Sequence, residues 1–556
     1  MIKNLFARKY DNLLSSKEKK LLENSFFCKD LSEDKRNFLK ESAIYDQWSK
    51  KRVIDTTDII YELEDKIAYK FFDQHYEISL KLGFQTSLIF HKEGDISATA
   101  TIGYCYYMGH GTDIDLSKAY KYFLKAAKKR EPMALYHLGF MYHNGEYVKE
   151  NYHKAFDFYQ KAANCNHPEA TTMIGLIYDK GVWVKKNDKE AFKWFLKASD
   201  LDDMVGHYCL GHSYFEGEGI KQDKTKALES YKKAADQGHE LAQYNIALMF
   251  DKGDGVKQDL KEAIKWYSKA ADQGYAEAQY NLGVMYGEGE GVKQDFKKAL
   301  YYYSKAAEQG INEAQFNLGL LYDKGKGIKK STKEALYWYR KAARQNNKYA
   351  QFNLGHMYEY GEGVKINNKT AILWYKKSSS QGLAEAQARL GYVYYEEKNY
   401  SKSLLWYGRA AKQNNGFALN NLGVMFDDGL GVKINKKKAI KYYERALDLG
   451  EASAGFYIGE IYYYGSGGID IDYHKAFKWY MKAAKLNNSD AQYSLACMFQ
   501  NGEGVDINNE RCLYWLEQSE KNGNSEAMAK LGYEEKKQSL TISPSAKIIH
   551  LSEFRK

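Results

Sequence analysis

A short pattern recurs along the chain with a fixed period of 36 residues. Each copy has an alanine, three residues, an aliphatic residue, a glycine or alanine, two residues and an aromatic residue, as in AEAQYNLGVMY from Ala276 to Tyr286. Thirteen copies lie between Ile102 and Gly532, and ten of the twelve spacings between them are 36 residues. A period of this length over most of a 556-residue chain predicts one continuous stack of repeats instead of several globular domains.

The spacing of small and apolar residues predicts two helices in each repeat, here called helix A and helix B. In helix A, Ala278, Leu282 and Tyr286 share one face, and the glycines of the following GEGEGV segment end the helix. Helix B begins behind a capping residue, because Asp, Asn or Ser stands four residues before its first small residue in all twelve copies. A glycine or asparagine is predicted to end helix B at nine positions: Gly238, Gly274, Gly310, Asn346, Gly382, Asn414, Gly450, Asn487 and Gly523.

Aromatic residues recur at fixed positions of both helices. One column is represented by Tyr286 in helix A, and Gly283 and Ala299 stand where the two helices must approach closely. Helix B carries a second column, which includes Trp194, Trp266, Trp338, Trp374, Trp406 and Trp479. Periodic aromatic residues on an apolar face are typical of a packed core, so we interpret both columns as packing and not as a surface for stacking bases.

The segment from Ala278 to Gly310, AQYNLGVMYGEGEGVKQDFKKALYYYSKAAEQG, resembles the Sel-1-like repeat, a subclass of the tetratricopeptide-type α/α solenoids. The resemblance extends from Ala98 to about Gly532. It implies an all-α fold, a right-handed α/α superhelical solenoid of about 12 helix-pair repeats of 36 residues with a helical N-terminal cap. For function, the resemblance implies adaptor and complex-assembly roles and no particular chemistry.

Three parts of the chain differ in composition. Residues 1–95 are predicted to be a non-repeat helical segment, either a cap on the first repeat or a separate adaptor, since the first 82 residues contain neither glycine nor proline. Residues 96–534 are the predicted solenoid, with a bend at 391–423, where one spacing shortens to 32 residues because the GxGV loop is missing. Residues 535–556 are predicted to be a polar C-terminal tail.

The sequence lacks the motifs that enzymes and metal sites require. It contains no GxSxG elbow, no HExxH helix and no His/Cys/Asp spacing of a zinc set. The GEGEG loops lack the Walker lysine-serine pair and recur in nearly every repeat, which indicates turns and not phosphate sites. We therefore predict no catalytic residue, no cofactor and no metal, and we expect neither an enzyme nor a small-molecule substrate.

The N-terminus has no apolar segment typical of a signal peptide, and nowhere do 18 apolar residues run together. Six cysteines without a CxxC pair fit reduced thiols. These features predict a soluble protein without a transmembrane segment. Its expected location is the cytoplasm, or the host cytoplasm if the chain belongs to an intracellular microbe or virus.

Helix A offers a candidate binding surface at two positions of its outward face, two and three residues before the glycine. In four consecutive repeats an aromatic residue is followed there by asparagine: Tyr244 and Asn245, Tyr280 and Asn281, Phe316 and Asn317, Phe352 and Asn353. An exposed aromatic ring can anchor a side chain, and asparagine can both donate to and accept from a peptide backbone. The alternative is that the rings pack on a neighbouring helix and the asparagines only favour solubility.

These observations favour a non-enzymatic scaffold or adaptor that binds a partner protein along the concave groove of the solenoid. A first alternative is an RNA-binding α/α solenoid, because the net charge is +10. Basic and acidic residues alternate along the helices, however, which disfavours nucleic acid. A second alternative is a regulatory subunit that recruits an enzyme through its N-terminal helices.

Overall fold

The computed structural model describes residues 80, 81 and 83–532. Twenty-four helices within this part form twelve consecutive pairs, with odd numbers for helix A and even numbers for helix B. Their bounds are α1 Ile96–Met108, α2 Leu116–Ala127, α3 Pro132–Asn144, α4 Tyr152–Asn164, α5 Pro168–Lys180, α6 Asp188–Asp200, α7 Met204–Glu216, α8 Lys224–Asp236, α9 Glu240–Lys252, α10 Leu260–Asp272, α11 Ala276–Glu288, α12 Phe296–Glu308, α13 Asn312–Lys324, α14 Thr332–Arg344, α15 Lys348–Tyr360, α16 Asn368–Ser380, α17 Ala384–Glu396, α18 Tyr400–Lys412, α19 Gly416–Asp428, α20 Lys436–Asp448, α21 Ala452–Tyr464, α22 Tyr473–Lys485, α23 Ser489–Asn501 and α24 Asn509–Lys521.

The described residues form two compact units, of which the first ends at Tyr275 and the second begins at Ala276. In each unit, helix A packs on helix B of its own repeat, and helix B packs on the helix A that follows. The described residues contain no strand, and none of their helices is long and apolar enough to cross a bilayer. The all-α solenoid of about twelve helix pairs is confirmed.

Helix B begins where the capping residues predict. The side chain four residues before the first small residue accepts a hydrogen bond from a backbone N–H of the first turn in all twelve copies, as Asp295 does from Lys298. Helix B then ends at a left-handed residue in all twelve copies, three more than predicted. The three additional residues are Arg130, Asn166 and Asp202, with φ of 60°, 59° and 58°.

The glycine of helix A is explained by a ring that lies against it. A Cβ added to Gly283 would lie 2.5 Å from a ring carbon of Tyr303 on α12, and the other helix A glycines of the pattern up to Gly459 face a helix B tyrosine or phenylalanine in the same way. All of these tyrosines are buried, and all but Tyr303 are among the largest fully buried side chains of the described core, whereas the tryptophans beside them are half-buried. The innermost aromatic column is therefore one residue beyond the predicted tryptophan column.

Tyr443 and Tyr375 occupy equivalent buried positions but differ at their hydroxyls. The Tyr443 hydroxyl has no hydrogen-bond partner among the described residues, whereas that of Tyr375 donates to Glu359 Oε2 at 2.6 Å. We expect Tyr443→Phe to raise the free energy of unfolding by about 1 kcal/mol, because it removes an unsatisfied buried hydroxyl. Tyr375→Phe is the control and should lower it by about 1 kcal/mol, since a hydrogen bond is lost. Urea unfolding measures both, and equal effects would contradict the explanation.

The shortened spacing between Gly391 and Gly423 arises from a short connection. Three residues, 397–399, join α17 to α18, where the neighbouring repeats have seven-residue loops. Lys398 is left-handed with φ of 57°, and Asn399 caps α18 through its side chain. The tighter connection is thus observed, and the bend at 391–423 stays a prediction.

The segments that flank the repeats are described only in part. Residues 83–92 form a helix whose Phe84 is buried against Ile102 and Cys105 of α1, and its ring lies 5.3 Å from that of Tyr106. Residues 1–79 of the predicted cap or adaptor and the predicted tail at 535–556 lie outside the described residues.

Candidate functional site

The eight residues predicted to line the groove lie on four consecutive A helices. Tyr244 and Asn245 belong to α9 in the first unit, and the other three pairs belong to α11, α13 and α15 in the second unit. All eight are half-buried. Each therefore remains partly accessible, although none is fully exposed.

The aromatic rings of the four pairs pack on the buried tyrosine of helix B in their own repeat. Ring centroids are 5.7 Å apart for Tyr244 and Tyr267, 6.0 Å for Tyr280 and Tyr303, 5.9 Å for Phe316 and Tyr339, and 5.6 Å for Phe352 and Tyr375. One side of each ring thus packs in the core, and the other side is partly exposed to solvent on the helix A face.

The asparagines have a role that neither interpretation of the sequence included. The side chain of Asn317 lowers the pKa of Tyr280 and Tyr303 in the preceding repeat, although burial raises both pKa values by more. Asn245 acts in the same way on Tyr208 and Tyr231 in the first unit. These asparagines therefore lie close to tyrosine hydroxyls of the preceding repeat.

An open cleft of about 520 Å³ lies on the helix A face of the second unit. It brings together three of the predicted site residues, Tyr280, Phe316 and Asn317, whereas the other five do not line it. The remaining lining residues come from the turns before α15 and α17 and from the first turns of α13 and α15: Asn312, Glu313, Gln345, Asn346, Asn347, Lys348, Tyr349 and Gln381. Side-chain amides therefore dominate its walls.

Hydrogen bonds between repeats hold several of these amides in place. Gln345 Nε2 donates to the carbonyl of Gly310 at 2.8 Å and to Gln315 Oε1 at 3.0 Å. Asn347 Nδ2 donates to Asn312 Oδ1 at 3.1 Å. A carboxamide carries two donors and two acceptor lone pairs. Gln345 thus uses its donors within the fold and retains acceptor capacity at Oε1.

A buried glutamine supports this wall and was missed in the sequence interpretation. Gln315 donates to the carbonyl of Ala307 at 3.0 Å while it accepts from Gln345, and Gln351 likewise donates to Ala343 at 3.2 Å and accepts from Gln381. The signal was present, because glutamine follows the alanine of the pattern in six copies: Gln243, Gln279, Gln315, Gln351, Gln387 and Gln492.

The cleft has an aromatic floor and little net charge. Phe316 and Tyr349 lie 5.7 Å apart at an interplanar angle of 32°, and Lys348 Nζ lies 5.2 Å from the Tyr349 ring. Glu313 is the only carboxylate and Lys348 the only ammonium group among its lining residues. Burial, followed by the charge of Glu313, raises the pKa of Tyr280, so this phenol is neutral at physiological pH and can donate a hydrogen bond.

Among residues 80, 81 and 83–532, no group of three His, Cys, Asp or Glu side chains could hold a metal ion. The helix pairs and the amide-lined cleft define an α/α repeat protein with an accessible cleft. Comparison with known families agrees. The Sel1 repeat model matches residues 97–130, 132–167, 168–203, 206–239, 241–275, 276–311, 312–347, 348–383, 384–415, 416–451, 452–488 and 489–524. The chain belongs to the Sel1 repeat family.

Similar proteins come from bacteria, fungi and plants. The crystal structure of c5321, a protective antigen of uropathogenic Escherichia coli with an SLR fold, is 33% identical, covers 84% of this chain and 99% of that one, and superposes with a TM-score of 0.71. Chitin synthase regulatory factor 4 of Schizosaccharomyces pombe is 28% identical over 126 residues, which are 22% of this chain and 19% of that protein.

HRD3A of Arabidopsis thaliana, an ERAD-associated E3 ubiquitin-protein ligase component, is 31% identical over 123 residues, which are 20% of this chain and 18% of that protein. The match thus spans about a fifth of the length of these two curated relatives. The similarity lies in the repeats, and it does not extend to the whole of either protein.

Proposed function

We propose that the chain is a non-enzymatic interaction scaffold that binds a segment of a partner protein in the cleft of the second unit. The cleft itself carries this proposal, because it is an open, amide-lined surface built jointly by consecutive repeats. Membership of the Sel1 repeat family supports a scaffold, and so do the names of two relatives, a regulatory factor and a ligase component. Solenoids of this kind present extended surfaces for binding.

The partner segment that best fits the cleft is an extended peptide. Its backbone would form hydrogen bonds with the cleft, and one of its apolar side chains would pack on the aromatic rings. Free acceptor capacity at Gln345 can pair with a backbone N–H, and the Tyr280 hydroxyl can pair with a carbonyl. The adjoining rings of Phe316 and Tyr349 offer a surface for an apolar or aromatic side chain. Because the two lining charges balance, the peptide needs no strong charge of its own.

Replacing Tyr349 by serine is expected to weaken binding of such a peptide at least about tenfold, because an aromatic residue at the centre of a contact is a typical hot spot. Tyr349 is 48% exposed and lines the cleft. Peptides selected from a random displayed library against the immobilised full chain provide the ligand, and fluorescence anisotropy gives the Kd of the chain and of the variant.

The matched control is Phe417→Ser. Phe417 holds the same position at the start of α19, is 38% exposed and lies 6.2 Å from the Tyr392 ring, but it does not line the cleft. Equal losses at Tyr349 and Phe417, or no loss at Tyr349, would rule out the cleft as the binding site. Weak dependence on salt is expected for the peptide. If peptide binding instead weakens steeply with salt, and binding of single-stranded RNA does the same, the RNA-binding alternative is favoured.

A further inference from the structure

A second surface lies on the B helices of the first four repeats of the second unit. Two residues after the first small residue of helix B, these repeats carry apolar side chains that are exposed to solvent: Tyr301 57%, Tyr337 49%, Leu373 53% and Leu405 51%. In seven of the other eight repeats the same position is charged: Lys121, Asp157, Lys193, Glu229, Lys265, Lys441 and Lys478. The last repeat has Tyr514, which is also exposed. Four consecutive repeats thus replace a charged side chain by an exposed apolar one, and we call Tyr301, Tyr337, Leu373 and Leu405 the apolar stripe.

The charge of these repeats is divided between the two helix types. The four B helices that carry the stripe, α12, α14, α16 and α18, contain thirteen lysines and arginines against two glutamates. The four A helices of the same repeats contain seven acidic and three basic residues. The apolar stripe is therefore set in a strongly basic face, opposite in sign to the face that holds the cleft.

Basic side chains on this face lie over aromatic rings beside the stripe. Distances from the charged group to the ring centroid are 5.9 Å for Lys305 and Tyr301, 4.8 Å for Lys341 and Trp338, 4.6 Å for Lys377 and Trp374, and 4.6 Å for Arg409 and Trp406. Such side chains cover apolar surface with their stems while the charged ends reach outward. Protein surfaces that bind at the membrane interface have this composition, with Tyr, Trp and Leu side chains surrounded by Lys and Arg.

We infer that this basic face binds the surface of an anionic lipid bilayer, with the stripe inserted among the headgroups and acyl chain ends. Charge complementarity favours a lipid surface as the partner. The helix B face carries many dispersed positive charges and almost no negative ones, which complements a layer of many anionic headgroups. The stripe adds apolar contact that a purely electrostatic partner such as RNA does not need. A bilayer adapts to the protein, so this face requires no pocket, and none of the cleft-lining residues belongs to these four helices.

Sedimentation of the full chain with vesicles tests the inference. The chain is expected to bind vesicles of equimolar phosphatidylcholine and phosphatidylserine at low salt, and to bind pure phosphatidylcholine vesicles far less. Replacing the stripe by serine is expected to weaken binding at least about tenfold. The substitutions are Tyr301→Ser, Tyr337→Ser, Leu373→Ser and Leu405→Ser, which all lie at exposed positions. Circular dichroism verifies that this variant keeps its helices.

A pair of charge variants gives the matched control. Removing three exposed lysines one turn before the stripe should weaken vesicle binding at least about tenfold. These substitutions are Lys297→Gln, Lys333→Gln and Lys369→Gln. The control removes the same number of charges from exposed B-helix positions of the first unit through Lys121→Gln, Lys193→Gln and Lys265→Gln, and it should have a much smaller effect.

Three outcomes would overturn the inference. They are no binding to the anionic vesicles at low salt, unchanged binding by the serine variant, and equal losses from the two lysine variants. Capture of an acidic amphipathic peptide without vesicle binding would assign the face to a protein instead. The Tyr349→Ser variant of the cleft should bind vesicles like the unaltered chain, so failure of the proposed peptide site and failure of this inference are distinguishable.

Discussion

Replacing Tyr375 by alanine is expected to lower the free energy of unfolding of the second unit by about 3–5 kcal/mol. Its ring is fully buried, lies against Gly355 of α15, and carries a hydroxyl that donates to Glu359 at 2.6 Å. Alanine leaves a cavity between α15 and α16 that the repeats on either side prevent from collapsing. It also removes a hydrogen bond to a carboxylate, which adds to the loss.

Urea unfolding of the full chain measures this effect, and hydrogen exchange of the α15 and α16 amides shows whether the loss is local. Tyr337→Ala is the control, because Tyr337 is an exposed tyrosine on the neighbouring helix α14. The control is expected to change the free energy by less than about 0.5 kcal/mol. A loss at Tyr375 no larger than that of the control would show that the buried column does not carry the stability assigned to it.

Features of the fold that depend on neighbours in sequence were predictable. Asp295 caps α12 because a short acceptor side chain reaches an N–H three residues ahead, and this geometry is independent of the rest of the protein. Gly310 ends the following turn with φ of 100° for a similarly local reason. Arg130 and Asp202 take the same left-handed conformation without the expected residue type. At these two positions the residue type alone does not predict the conformation.

Features that depend on contacts between helices were predicted only in part. The pattern identifies Gly283 as a site of close approach, but it does not say that Tyr303 is the side chain that approaches. A helical periodicity specifies the direction of a residue on its own helix. The partner on the other helix depends on how the two helices are offset, which no single-helix pattern contains. The predicted tryptophan column does pack against the core, but the more deeply buried tyrosine column beside it was not predicted.

The same limit applies to the candidate site. Asn317 was predicted to face outward for a ligand, and it is half-exposed, but it also lies close enough to Tyr280 and Tyr303 of the preceding repeat to lower their pKa against the larger effect of burial. The pair of Gln345 and Gln315 is separated by 30 residues and meets only because the repeats stack. A recurrent glutamine in an apolar helix face signals a buried hydrogen bond in general. Its acceptor becomes known only from the structure.

Replacing Gly355 by leucine is expected to lower the free energy of unfolding by about 3 kcal/mol, because the added atoms overpack the core. A Cβ alone would lie 2.5 Å from a ring carbon of Tyr375. Replacing Gly355 by alanine should change the free energy of unfolding by no more than about 1 kcal/mol, since the better helix propensity of alanine offsets part of the crowding. One repeat already has alanine at the equivalent position: Ala247 of α9 is fully buried in the repeat that contains Tyr267.

The Gly355→Leu and Tyr375→Ala substitutions together test the contact itself. If the leucine side chain occupies the space that the ring leaves, the double variant should be more stable than the sum of the two single losses predicts, by about 1–3 kcal/mol. Urea unfolding of the four proteins in this cycle measures the coupling. Strictly additive losses would mean that the glycine and the tyrosine act independently, and the close approach of their helices would then not be the reason for glycine in helix A.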